Sequence, residues 1–146
     1  MQNKRENIYK MARKAAKLSR EKAAEAVYIS PRSLADYESG KTVPPDDVVC
    51  RMAEAYRARW LEYDHLKQTS PVGQRVLPDL DATNMPMAIL MLQNEMDEVQ
   101  RSMPDIVSMA CGEGGEAQEQ ILNQIMRLEG ACSSIRFCRQ EKGALA

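Results

Sequence analysis

The stretch Leu18–Pro44, LSREKAAEAVYISPRSLADYESGKTVP, decides how this chain is read. It predicts two short helices with both ends marked. Ser19 is an N-cap residue whose side-chain oxygen can accept from an orphan amide, and the helix it opens runs to about Val27 with Ala23, Ala24 and Val27 facing inward. Ile29-Ser30-Pro31 opens the next. Ser30 caps it, and Pro31 suits the first helical position, where the N–H that proline lacks would have no partner. This helix carries Leu34 and Tyr37 on one side and stops at Gly40, a residue that tolerates the left-handed conformation of a helix end. Ala24 is small where two helices cross closely, and Val27, Ile29 and Leu34 fill the wedge that sets their angle.

Upstream, Ile8, Met11, Ala12, Ala15 and Leu18 recur at helical spacing, so a helix is predicted over about Asn7 to Lys17. Downstream, Pro44 and Pro45 punctuate. Asp46 and Asp47 complement the dipole of a fourth helix bearing Val48, Val49, Met52, Ala53 and Tyr56, and a fifth short helix around Trp60 to Leu66 closes the unit. From Lys67 to Asn84 the text is irregular, with Pro71, Gly73 and Pro78, and reads as a linker. Beyond it, Ile89, Leu92, Met96, Val99, Met103, Ile106 and Ala110 follow alternating spacings of three and four, as do Ile121, Ile125, Leu128, Cys132 and Ile135. Gly112-Glu113-Gly114-Gly115 between them is a natural reversal. The expectation is an antiparallel helical hairpin whose apolar seams face each other or a second copy. Pro104 either kinks the first arm, or Ser102 caps a new helix with Asp105 completing a capping box.

Composition agrees with helices throughout. Of 146 residues, 44% are hydrophobic but only 5% aromatic, ten are methionine, and alternating runs of β-branched residues are absent. The expected fold is all-α, with residues 1–66 as the first domain, 67–84 as linker and 85–146 as the hairpin domain. Residues 1–41 hold ten bases against five acids, a surplus of five, which leaves −6 for the remainder of a chain whose net charge is −1. A basic end on an acidic body suits a protein with one face on phosphates, although a solvated helix face has the same composition.

Several function classes lose support on the same evidence. No apolar run spans a bilayer and the start lacks a signal peptide's apolar region, so a cytoplasmic protein without a membrane partner is expected. Cys50, Cys111, Cys132 and Cys138 form no CxxC pair and His65 is alone, which favours buried free thiols over a metal site or a disulfide framework. His65, a lone helical histidine, reads as surface or packing. The methionines at 85, 87, 91, 96, 103, 109 and 126 read first as core filling and second as an adaptable groove. Glu95, Asp97 and Glu98 beside Glu113, Glu116 and Glu119 lack the Glu-x-x-His pattern of di-metal bundles, so a solvated face is expected, with no cofactor. No nucleophile, base and orienting group can be placed together, which argues against an enzyme.

The pattern Leu18-Ser19-x-Glu21-x-x-Ala24-Glu25, Ile29-Ser30, Leu34, Tyr37-Glu38-x-Gly40-Lys41 and Pro44 resembles, without a gap, the helix-turn-helix of the Cro/C1-type (XRE) regulators. The likeness extends loosely over Met1 to Leu66. It implies a five-helix lambda-repressor-like domain whose third helix enters the major groove while the second crosses the backbone. Carried over position by position, it puts Pro31, Arg32, Ser33 and Asp36 at or near the bases. Arg32 can donate two bonds to guanine O6 and N7. Ser19, Arg20, Ser30 and Lys41 fall at positions near phosphates. Two residues depart from the family pattern: Tyr28 stands where glycine is usual in the turn, and Asp36 is acidic. Asp36 must accept from a cytosine amine, pair with Arg32, or repel the duplex. The resemblance implies a sequence-specific regulator, with a palindromic double-stranded operator and a homodimer through residues 85–139 as expected partners; the alternative is a head that docks on another protein.

Overall fold

The computed structural model describes residues 6–80, 84–112 and 118–138. These form α1 (Ile8–Ala15), α2 (Arg20–Ala26), α3 (Pro31–Ser39), α4 (Asp46–Tyr56), α5 (Trp60–Thr69), α6 (Pro71–Val76), α7 (Met85–Arg101), α8 (Met103–Ala110) and α9 (Gln118–Arg136). No strand occurs among the described residues. The chain divides into two compact units between Leu77 and Pro78.

In the first unit local chemistry sets the helix ends. Asn7 accepts from the amides of Tyr9 and Lys10, Ser19 from Lys22 and Ser30 from Ser33, so α1, α2 and α3 each start on a side-chain cap. α1, α2, α3 and α4 are each followed by a residue of positive φ: Lys17, Tyr28, Gly40 and Arg57. The next amide in each case closes back on the last turn, as Ile29 N–H does on the Ala24 carbonyl at 3.0 Å. Only Gly40 takes this geometry freely; for the other three it costs roughly 1–2 kcal/mol. The core is made by Ala12, Ala23, Ala24, Val27, Leu34, Val49, Met52 and Leu61. The alanines let α2 approach α3 and α4, and α1 approach α3, α4 and α5, while the larger side chains fill the gaps between them.

Two features differ from the expectation for this half of the chain. α5 runs on to Thr69, and residues expected as linker form α6, so the unit has six helices. α6 rests on α5 through Gly73, its one buried residue. Ser70 caps it, Lys67 Nζ donates to the Leu77 carbonyl at 2.6 Å, and a Cβ at Gly73 would meet the Leu66 carbonyl oxygen at 2.4 Å, so only glycine fits this approach. Of the two readings of His65, packing is the one observed: it is buried, with Nδ1 at 2.8 Å from the Tyr9 hydroxyl and Nε2 at 2.9 Å from Asp46 Oδ1. It thereby ties α1, α4 and α5 together.

In the second unit α7 and α9 run antiparallel. Arg127 meets Glu95 at 3.2 Å and Gln124 meets Ser102 at 2.9 Å, so higher numbers on α9 pair with lower numbers on α7. At Pro104 the first arm breaks. α7 ends at Arg101 and α8 begins at Met103; Ser102 between them makes no side-chain cap bond and keeps its backbone in the right-handed helical region, so the capping box does not form. Gly112 has a φ of 85°, whereas Glu113 to Ala117, which complete the expected reversal, lie outside the described residues. The seams are only partly engaged. Ala88, Ile121 and Ala131 are buried, Leu92, Val99, Leu128 and Ile135 are half-buried, and Ile89, Met96, Met103, Ala110, Ile125 and Cys132 are exposed. The methionine reading is corrected with them, since Met87, Met96, Met103 and Met126 are exposed. Cys50, Cys111 and Cys132 are likewise exposed and Cys138 half-buried, against the expectation of buried thiols. Desolvation and then the nearby Glu62 carboxylate push the Cys50 thiol up.

Candidate nucleic-acid interface

α3 presents its N-terminal turn to solvent. Pro31 and Arg32 are exposed there and Ser33 is half-buried, while Leu34 and Glu38 face inward. Ser33 is not a free hydroxyl. Its Oγ lies 2.8 Å from that of Ser30, which also accepts the Ser33 amide at 3.0 Å. The two serines therefore stiffen the start of the helix, and Arg32 is the exposed donor of that turn.

Asp36 takes a partner outside the three options open from the sequence. Its carboxylate lies 3.5 Å from Lys41 Nζ, and its carbonyl accepts from the Lys41 amide at 3.0 Å. One residue expected at the bases and one expected at phosphate are thus coupled across the end of α3. The pairing partly neutralises the negative charge that Asp36 would otherwise present, and Lys41 remains largely exposed.

Beneath this surface lies Glu38, a residue that sequence reasoning counted only as an acid in the motif. Its side chain is 2% exposed. Arg13 of α1 grips the carboxylate through Nε and Nη2, the latter at 3.0 Å from Oε2, and Arg20 of α2 adds Nε at 3.3 Å. Arg13 also donates to the Leu18 carbonyl at 2.9 Å, and Glu38 holds its guanidinium above the usual arginine range. One buried anion therefore locks the three helices that frame the surface. Arg20 pairs through Nε and stays 43% exposed. A signal for Glu38 did exist: it stands four residues after Leu34, on the inward stripe of α3.

The turn before α3 is clamped from both sides. Arg51 of α4 donates Nε to the Val27 carbonyl at 3.0 Å and is held by Asp47 at 2.9 Å. Tyr28, the next residue, has a φ of 57°. The turn keeps a glycine-like conformation despite the tyrosine.

Two clamped helices, a stiffened and exposed N-terminal turn carrying an arginine, and flanking cations describe a surface built to meet a polyanion. Residues 10–66 match a family model described as a helix-turn-helix domain. These residues are a helix-turn-helix domain of the Cro/C1 type. Neither the curated proteins nor the solved structures yield a match. The helix-turn-helix domain is a non-catalytic DNA-binding one, which supports a role for the chain in transcriptional regulation. Among the described residues, no group of three or more His, Cys, Asp or Glu is placed to hold a metal ion; Glu113 and Glu116 of the expected carboxylate face lie outside them. No described helix is long and apolar enough to cross a membrane.

Proposed function

We propose that this chain is a sequence-specific transcriptional regulator, a repressor of the phage or mobile-element type, which inserts α3 in the major groove of a palindromic operator in the cytoplasm. The observation that carries this reading is the exposed Arg32 at the start of a capped helix, rigidly mounted through Glu38 on α1 and α2. Rigid mounting matters because a bidentate bond to guanine tolerates little error in angle. Arg20 and Lys41 supply phosphate contacts at either side, and the surplus of five positive charges in residues 1–41 attracts the duplex at long range.

One such head buries too little surface for tight specific binding, so the regulator acts as a homodimer through residues 85–139. The apolar side of the α7–α9 pair supports this. Going round α7 at about 100° per residue, Ala88 and Glu95 form the flank laid on α9, and Leu92, Val99, Met96 and Ile89 follow within about a third of a turn. On α9 the apolar residues 128, 121, 132 and 125 follow Ala131 in the same sense. Because the helices are antiparallel, equal offsets bring both stripes to one side of the pair. That side leaves Ile89 52%, Met96 56% and Ile125 38% exposed, and a second copy covers it as a bundle of four helices.

Selection of bound sequences from random DNA, followed by titration of variants on the selected duplex, tests the reading. Arg32→Ala is expected to lose affinity at one or two base pairs, by about 1–3 kcal/mol each, whereas Arg20→Ala and Lys41→Ala weaken all sequences alike and flatten the salt slope. If none of the three changes DNA affinity, the head docks on protein instead.

A further inference from the structure

We propose that Tyr28 is itself a DNA contact, donating its phenolic O–H to a backbone phosphate beside the half-site; the proposal rests on the DNA-binding reading above. Tyr28 combines two features that folding alone does not explain. Its φ of 57° lies in the left-handed region that glycine occupies without strain, and its side chain is 85% exposed. A buried ring would offset the backbone strain by leaving water. This ring stays in water. Lys17 and Arg57 share the conformation, but their side chains are cations for which solvent is the ordinary environment.

The place of the residue says what the ring can reach. Tyr28 precedes the Ser30 cap of α3 by two residues, at most ~7 Å of chain, so its side chain leaves from the same end of α3 that exposes Pro31 and Arg32. The backbone there is held by the Ile29 amide on the Ala24 carbonyl and by Arg51 on the Val27 carbonyl. A ring mounted on a fixed turn loses little freedom on binding, with two side-chain torsions to order. Tyrosine hydroxyls are ordinary donors to phosphate, and Arg32 in the exposed first turn of α3, with Arg51 bound to the Val27 carbonyl, puts cations beside the turn that draw that anion to the site. The bond positions the head without reading sequence.

The test separates stability from binding. In the full-length chain, Tyr28→Gly removes the strain and the ring together, and Tyr28→Phe removes only the donor. Each is melted, then titrated against the duplex selected by the wild-type chain and against a scrambled duplex at the same salt. Tyr28→Gly is expected to melt no lower than wild type yet to bind both duplexes roughly 10-fold more weakly, the worth of one bond to a charged group. Tyr28→Phe is expected to melt as wild type and show most of the same loss. Wild-type affinity in Tyr28→Gly overturns the contact, and wild-type affinity in Tyr28→Phe alone overturns the phosphate bond. Failure of the wild-type chain to select any duplex overturns the DNA reading itself, which neither variant result does.

Discussion

A single carboxylate orders the surface proposed to meet DNA. Glu38 is buried between Arg13, itself mostly buried, and Arg20. A buried ion pair adds little net stability over an apolar substitute, yet removing one partner leaves an uncompensated charge behind. Glu38→Ala is therefore expected to destabilise the first unit by about 3–5 kcal/mol, read from urea unfolding. The variant's α3 should also lose its fixed angle to α2, so that discrimination between DNA sequences falls even at temperatures where the domain stays folded. A loss below about 1 kcal/mol would mean that Arg13 finds solvent when its partner goes.

Between elements, buried phenols make the packing of α1, α4 and α5 sensitive to alkali. Tyr9 on α1 has its hydroxyl on His65 of α5, and Tyr56 closes α4. Burial first, then the Asp46 carboxylate for Tyr9 and the Glu38 carboxylate for Tyr56, push both from the ordinary 10.0 to about 12. Between those values the native state keeps protons that the unfolded chain has released, so the stabilisation is complete below pH 10 and is lost as pH rises towards 12. Thermal melts at about pH 9 and about pH 11 should show a steep fall in Tm for the wild type. Tyr9→Phe should show a shallower one, because a group that cannot ionise in either state carries no linkage; an unchanged slope counts against the assignment.

At the scale of the molecule the question is what covers the apolar side of the second unit. Two helices packed flank to flank bury few large side chains, and the remainder can be buried only by another surface. If that surface is a second copy, Ile89→Glu combined with Met96→Glu should turn a dimer into a monomer in sedimentation at micromolar concentration. The double variant should then bind a palindromic duplex far more weakly than wild type while binding a single half-site about equally, since only the coupling between heads is lost. A wild-type chain that sediments as a monomer across that range rules out the bundle of four helices.

The ends of α2 and α3, the start of α4, the helical content and the surface-facing arginine of α3 were legible in the sequence because they are local. A cap joins residues two or three apart, a proline or glycine acts on its own dihedral, and the periodicity of an apolar stripe is written in neighbouring positions. The tertiary structure alone decided what depends on residues distant in the chain. Arg13 finds Glu38 across 25 positions and Tyr9 finds His65 across 56. Pro71 to Val76 become a helix only where α5 has room for Gly73. On α7, a stripe of alternating threes and fours cannot say which of its flanks meets α9, since a rotation of one residue changes the partner without changing the pattern. Burial, pairing and the choice of flank are set by the summed contacts of separate elements, and no window of sequence contains them.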